Sequence, residues 1–235
     1  MALNIQNAGD ISRHENWRIL LYGKPGQGKT SAINFLPGKT LVFDMDDSSK
    51  VLAGNKDIDI VKFDRSNPSQ SINDFLKEVQ SVLTNYNNLV IDNITSFQSD
   101  WFIEQGKKSK NGIANEIQDY GRWTNYFLRI LTKIYSLPIN VFMTAWENTH
   151  DLNLETGQLI TQYVPYIRPQ VLDQLVGLTD VVGRIKVNPQ TGGRGVILEG
   201  TDGMYAKNRL DKRTIVPIEE LFNFEYKITN KNGDK

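Results

Sequence analysis

Gly23, Lys24, Pro25, Gly26, Gln27, Gly28, Lys29 and Thr30 fill, in order, every fixed position of the pattern G-x-x-x-x-G-K-[ST]. Residues of these types at this spacing cradle a polyphosphate. The glycines let successive backbone N–H groups turn inward, at a helix N-terminus where partial positive charge gathers. Lys29 then reaches the β- and γ-phosphates, the Thr30 hydroxyl binds Mg²⁺, and Ser31 follows on the first helical turn. The context fits, because Ile19-Leu20-Leu21-Tyr22 before the loop reads as a strand and residues 30–36 as the start of a helix. The ligands this predicts are ATP and Mg²⁺.

Hydrolysing a nucleotide takes more than the loop. A carboxylate must help hold the metal, a base must activate water, and a polar group must sense the terminal phosphate. Asn88-Leu89-Val90-Ile91-Asp92 is an apolar strand ending in an aspartate, the Walker B pattern, which makes Asp92 the metal-side carboxylate. The next residue is Asn93 rather than an acid, so the base must come from elsewhere. Leu41-Val42-Phe43-Asp44-Met45-Asp46-Asp47 offers three carboxylates at the end of another strand. The same three also suit a capping and turn cluster ahead of a helix at Ser49. A further strand ends Met143-Thr144-Ala145-Trp146-Glu147, where Thr144 and Glu147 are the polar groups and Glu147 is the second candidate for the base.

The elements that must position these groups alternate between short β-rich runs and longer helical segments, the signature of a mainly parallel sheet flanked by helices. Strands are expected at 18–22, 40–43, 58–63, 89–92 and 139–144. Apolar residues from Ile72 to Leu83 recur at helical spacing, which predicts an amphipathic crossover helix over 73–86. A longer helix is expected over 113–137, stopping before Pro138. Beyond it the pattern changes to antiparallel hairpins, one over 180–199 around the turn 188–193 and a shorter one over 152–160. The fold class is therefore α/β, with C-terminal antiparallel hairpins. A single ATPase domain is expected over 16–226, between an N-terminal segment 1–15 and a polar tail 227–235.

The bulk properties narrow the function further. With 235 residues, the chain suits one well-buried core. It has no cysteine, which excludes disulfide frameworks and thiolate zinc sites. Lys plus Arg and Asp plus Glu stand at 27 each, so any nucleic-acid contact must come from a local patch. No stretch approaches the ~20 apolar residues of a membrane span, and no basic segment leads into an apolar one at the start. A cytoplasmic protein without membrane contact is the expectation.

Taken together, the phosphate loop, Phe43-Asp44-Met45-Asp46, Val90-Ile91-Asp92-Asn93, Thr144-Ala145-Trp146-Glu147 and Ala206-Lys207-Asn208-Arg209 resemble the phage nucleotide-binding proteins. These are compact RecA-like P-loop ATPases, and some of them act as single-strand annealing recombinases. The resemblance covers roughly residues 16–213. It implies a RecA-like core and makes Asp46 the general base, with Asp47 as second choice. It also places the Thr144 strand between the phosphate-loop and Asp92 strands, as the γ-phosphate sensor.

By the same resemblance, Lys207 or Arg209 would reach a neighbouring subunit's γ-phosphate as a finger in trans; a surface salt-bridging pair fits them equally well. The implied partners are single-stranded DNA, further copies of the chain, and a phage or host single-strand-binding protein. One DNA loop would span 104–112, where Lys107, Lys108 and Lys110 meet phosphates and Trp101 and Trp123 stack on bases; a solvated loop with core tryptophans is the alternative. The other would span 150–166, where Tyr163 and Tyr166 are aromatic but the charge is not basic. Two further readings stay open: a scaffold that binds ATP and hardly hydrolyses it, and a small-molecule kinase. Against the kinase, residues 152–160 carry no arginine for a phosphate-gripping lid.

Overall fold

Period-two alternation dictates the sheet. In β1 (Arg18–Gly23), Leu20 and Tyr22 point to one face and Ile19 and Leu21 to the other, all of them buried. β2 (Thr40–Asp44) and β4 (Asn88–Asp92) likewise divide Leu41 and Phe43 from Val42, and Leu89 and Ile91 from Val90. Strands apolar on both faces belong inside a sheet covered on both sides. The computed structural model describes residues 5–225 and shows that arrangement, while the expected tail 227–235 lies outside the described residues.

The remaining strands are β3 (Ile58–Lys62), β5 (Asn140–Asn153), β6 (Leu159–Pro165), β7 (Val181–Val187), β8 (Arg194–Ile197), β9 (Lys207–Asn208) and β10 (Ile215–Pro217). From edge to edge the order is β10-β8-β7-β1-β5-β4-β2-β3. Every pairing from β7 to β3 is parallel, and β8 and β10 add antiparallel at one edge. The α/β class with C-terminal hairpins is thus the fold, and the strand carrying Thr144 lies between β1 and β4 as expected.

One face is covered by α1 (Pro68–Val82), α2 (Ile94–Lys108), α3 (Ile117–Tyr135) and α4 (Pro169–Leu178). The other is covered by a 3₁₀ helix after the phosphate loop (Thr30–Phe35), by Trp17, and by Ile218, Leu221 and Phe222 near the C-terminal end. Arg213 ties that last segment down. Its Nη1 donates to the carbonyls of Glu220 and Asn223 at 2.8 and 2.9 Å, and its Nε pairs with Asp211 at 2.7 Å. No helix among the described residues is long and apolar enough to cross a membrane.

Several element boundaries differ from those expected, each for a local reason. The helix after the phosphate loop is a short 3₁₀ turn, because Leu36 precedes Pro37 and takes an extended ψ of 130°. The crossover helix runs from Pro68, which suits the first helical position, and the chain from Leu83 to Asn85 tightens to 3₁₀. The long helix begins at Ile117 rather than residue 113. Asn111 Oδ1 takes the amides of Ile113 and Ala114 into a turn, and Glu116 and Asp119 form a reciprocal capping box. β5 continues to Asn153, well past Thr144, because β6 pairs with its second half from Glu147 onward.

Trp101 and Trp123 are 4 % and 0 % exposed, packed with Phe97, Phe102 and Phe127. They are core residues, which corrects the expectation that they stack on bases. Among the described residues, Trp123 Nε1 is buried without a partner. Trp123→Ala is therefore expected to cost about 3–5 kcal/mol of stability, and Trp123→Phe, which removes the orphaned N–H, about 1 kcal/mol or less; urea unfolding of both variants checks this.

Candidate functional site

The C-terminal ends of β1, β2 and β4 meet at one edge of the sheet, beside the middle of β5, and the phosphate loop follows β1 there. Gly26 and Gly28 hold φ of +79° and +95°, a region side-chain-bearing residues rarely adopt. Gly23 is required for a different reason, since a Cβ there would lie 2.3 Å from Ile185 Cγ2. The Lys29 Nζ donates to the carbonyls of Gly23 and Lys24 at 2.9 and 3.0 Å, at the centre of the loop. Burial pulls its pKa down, while the charges of Asp92, Asp46 and Glu147 work against that pull. The charges of three carboxylates, from the ends of β2 and β4 and from within β5, thus act on one buried ammonium.

A chain of oxygen atoms links the loop to β4. Thr30 Oγ1 and Ser48 Oγ lie 3.0 Å apart, Ser48 Oγ donates to Asp92 Oδ2 at 3.2 Å, and Thr144 Oγ1 donates to Asp92 Oδ1. Asp92 is 2 % exposed, and burial pushes its carboxyl up to about 6, aided by the charge of Asp46 and opposed by the hydroxyl hydrogen bonds. A buried carboxylate surrounded by hydroxyls, with no ion pair of its own, suits a hard divalent cation. No group of three or more acidic, histidine or cysteine side chains among the described residues could hold a metal alone.

The three carboxylates at the end of β2 have different surroundings. Asp44 is buried, pairs with Lys62 at 2.6 Å and takes the amides of Ser48 and Ser49 at 3.1 and 3.4 Å. Burial opposes its ionisation, but the Lys62 and Ser49 hydrogen bonds outweigh it and hold the carboxyl below the usual range. Asp47 stands in the turn at φ +59°, exposed, 3.5 Å from Lys62. Asp46 is half-buried and turns toward β4, where its Oδ2 accepts from Asn93 Nδ2 and its Oδ1 from the Ser48 amide at 3.2 Å. Asn93 also caps α2 by accepting the Ser96 amide at 2.7 Å, so one side chain fixes both the helix start and Asp46.

Glu147 lies on β5 with its carboxylate bound by Arg184 of β7, at 2.7 and 3.2 Å. Both side chains are buried, and the guanidinium stacks 3.5 Å over the Tyr163 ring. Tyr22 reaches the same group, its hydroxyl 2.7 Å from the Tyr205 carbonyl and 3.1 Å from that of Tyr163.

The remaining candidates lie elsewhere. Lys207 and Arg209 fall on or beside β9, which pairs with the first residues of β7, at the sheet edge away from the phosphate loop. Lys207 Nζ donates to the last carbonyls of α4, those of Val176 and Gly177, and burial lowers its pKa to about 8. Arg209 is exposed. Lys107 and Lys108 form the last turn of α2 rather than a loop, with Lys108 paired to Glu104 at 2.9 Å, and exposed Lys110 follows. Fifteen helical residues carry this basic segment about 22 Å from Asn93. Residues 150–166 are mostly the β5–β6 hairpin, in which Tyr163 is half-buried under Arg184 and Tyr166 is exposed.

Ser48, Asn93, Arg184 and Arg194 stand out in the structure but not in the sequence. Ser48 and Asn93 sit one or two positions from residues that were singled out, and hydroxyl or amide next to a strand-end carboxylate is the signal that points to them. Arg184 joins Glu147 across 37 residues and Arg194 joins Gln27 across 167, distances no local pattern spans.

A family model described as an AAA domain matches residues 15–210. No curated protein matches the chain. Among solved structures, the crystal structure of the RadB recombinase superposes with a TM-score of 0.51 at 12% identity, over 86% of each chain, a likeness of fold. Since the family model spans most of the sequence, phosphate loop and Asp92 strand included, the chain belongs to the AAA-domain family.

Proposed function

We propose that this chain binds and hydrolyses ATP with Mg²⁺ and acts on single-stranded DNA in phage recombination or annealing, working as a homo-oligomer. The observation that carries the ATPase reading is the convergence of Lys29, Thr30, Asp92 and Asp46 on one sheet edge. Residues 23–31 hold the phosphates, Thr30 and Asp92 hold the metal, and Thr144 positions Asp92. Bound there, Mg²⁺ neutralises charge on the phosphate oxygens. Asp46 is the base: of the acids around Lys29 it is the one that neither pairs with a cation nor takes the metal side. Its partner Asn93 orients it toward the site.

Glu147 is the weaker candidate because Arg184 already occupies both its oxygens. The same fact favours a second reading, a nucleotide-dependent scaffold with slow turnover, since an acid directly after the Asp92 strand is missing and the base is a short aspartate. A small-molecule kinase finds no support in the β5–β6 hairpin, whose tip over 152–160 lacks arginine. The DNA arm rests on the family resemblance, on the recombinase that shares the fold, and on the exposed lysines 107, 108 and 110. Lys207 and Arg209, at the far sheet edge, serve a neighbour's site only if subunits stack edge to edge.

Lys29→Ala is expected to abolish ATP binding, measured by calorimetry; normal affinity would refute the site. Asp46→Asn should leave ATP affinity within about threefold and slow single-turnover hydrolysis by about 10²–10⁴. If Glu147→Gln gives that slowing and Asp46→Asn does not, the base is on β5. Single-stranded DNA is expected to stimulate hydrolysis and to retain the protein at low salt; absence of both effects removes the DNA arm and leaves the scaffold reading.

A further inference from the structure

Arg194 is the one strong cation beside the phosphate loop that the catalytic reading leaves unused. It opens β8 after the turn 188–193, and its Nε donates to the Gln27 carbonyl at 3.0 Å. The side chain lies so close that a Cβ on Gly28 would be 2.8 Å from Arg194 Nε and 3.0 Å from its Cδ. Among the described residues it makes no other side-chain hydrogen bond and no ion pair, so most of an exposed guanidinium remains available.

Its flank identifies what it meets. Asp92 and Thr144 lie on β4 and β5 and Asp46 just after β2, on one side of β1, and that is where the metal and terminal phosphate belong. β7 and β8 lie on the other side of β1. A polyphosphate held along the loop with its terminal end toward Asp92 must send its nucleoside toward β7 and β8, the flank Arg194 covers. Arg194 also borders an open groove of about 830 Å³ that runs past Val187 and Ile215, apolar side chains left 39% and 50% exposed. A planar guanidinium beside apolar side chains suits the flat face of a nucleobase better than it suits another phosphate.

We propose that Arg194 stacks on the base of the bound nucleotide, contributed by the same chain, with the turn 188–193 bordering the nucleoside. The inference rests on the phosphate-loop reading above, and comparing ATP with inorganic tripolyphosphate separates the two. Calorimetry on the full chain is expected to show ATP binding more tightly than tripolyphosphate. Arg194→Ala should weaken ATP by about tenfold and tripolyphosphate by less than about twofold, and Arg194→Lys should recover little of the loss, because a lysine keeps the charge without the plane.

Photolabelling with 8-azido-ATP is expected to mark the segment 186–197, and thermal unfolding shows whether the variants remain folded. Equal losses for both ligands would place Arg194 on the phosphates or on the loop and overturn the proposal. Equal wild-type affinities, an unchanged ATP affinity in Arg194→Ala, or label confined to other segments would overturn it too. If the folded wild type binds neither ligand, the phosphate-loop reading fails first and the inference falls with it.

Discussion

Lys29 is a buried cation facing three carboxylates, and the rest of the active edge is arranged around that charge balance. Burial pulls the pKa of the ammonium down, and the charges of Asp92, Asp46 and Glu147 oppose that pull. The balance works in both directions, since three acids from three strands would repel one another at the end of a parallel sheet without a cation between them. Parallel pairing brings these groups together, because β1, β2 and β4 finish at the same edge and β5 passes through it.

Around that centre, each carboxylate's partners determine what it can do. Asp44 is held by Lys62 and two backbone amides and belongs to the turn after β2. Glu147 is held by Arg184 and links β5, β7 and the stacked Tyr163. Asp92 accepts the hydroxyls of Ser48 and Thr144. Asp46 is oriented by the neutral amide of Asn93 and by the Ser48 backbone N–H. Four acids in one region thus differ through their neighbours, not through their own chemistry.

The basic groups expected to face DNA or a neighbouring subunit follow a different geometry. α2 leaves the active edge at Asn93 and delivers Lys107 and Lys108 about 22 Å away, and β9 puts Lys207 and Arg209 at the start of β7. Asn93 and the lysines stand at opposite ends of one helix. α2 is one physical link, since Asn93 touches Asp46 at its start and the lysines form its end.

The octet 23–30 and the alternation of apolar strands with helical segments determined the ligand class and the α/β core from sequence alone, because both are local. Two glycines at positive φ, a lysine and a hydroxyl act within eight residues, and strand alternation repeats every second one. Tertiary structure alone decided that Trp101 and Trp123 fill the core, that β5 runs on through Glu147, that Arg184 claims that glutamate, and that Arg194 lies on Gly28. Each of these depends on partners tens to more than a hundred residues away. A side chain's type fixes the bonds it can make; which partner arrives to make them is fixed only when the chain has folded.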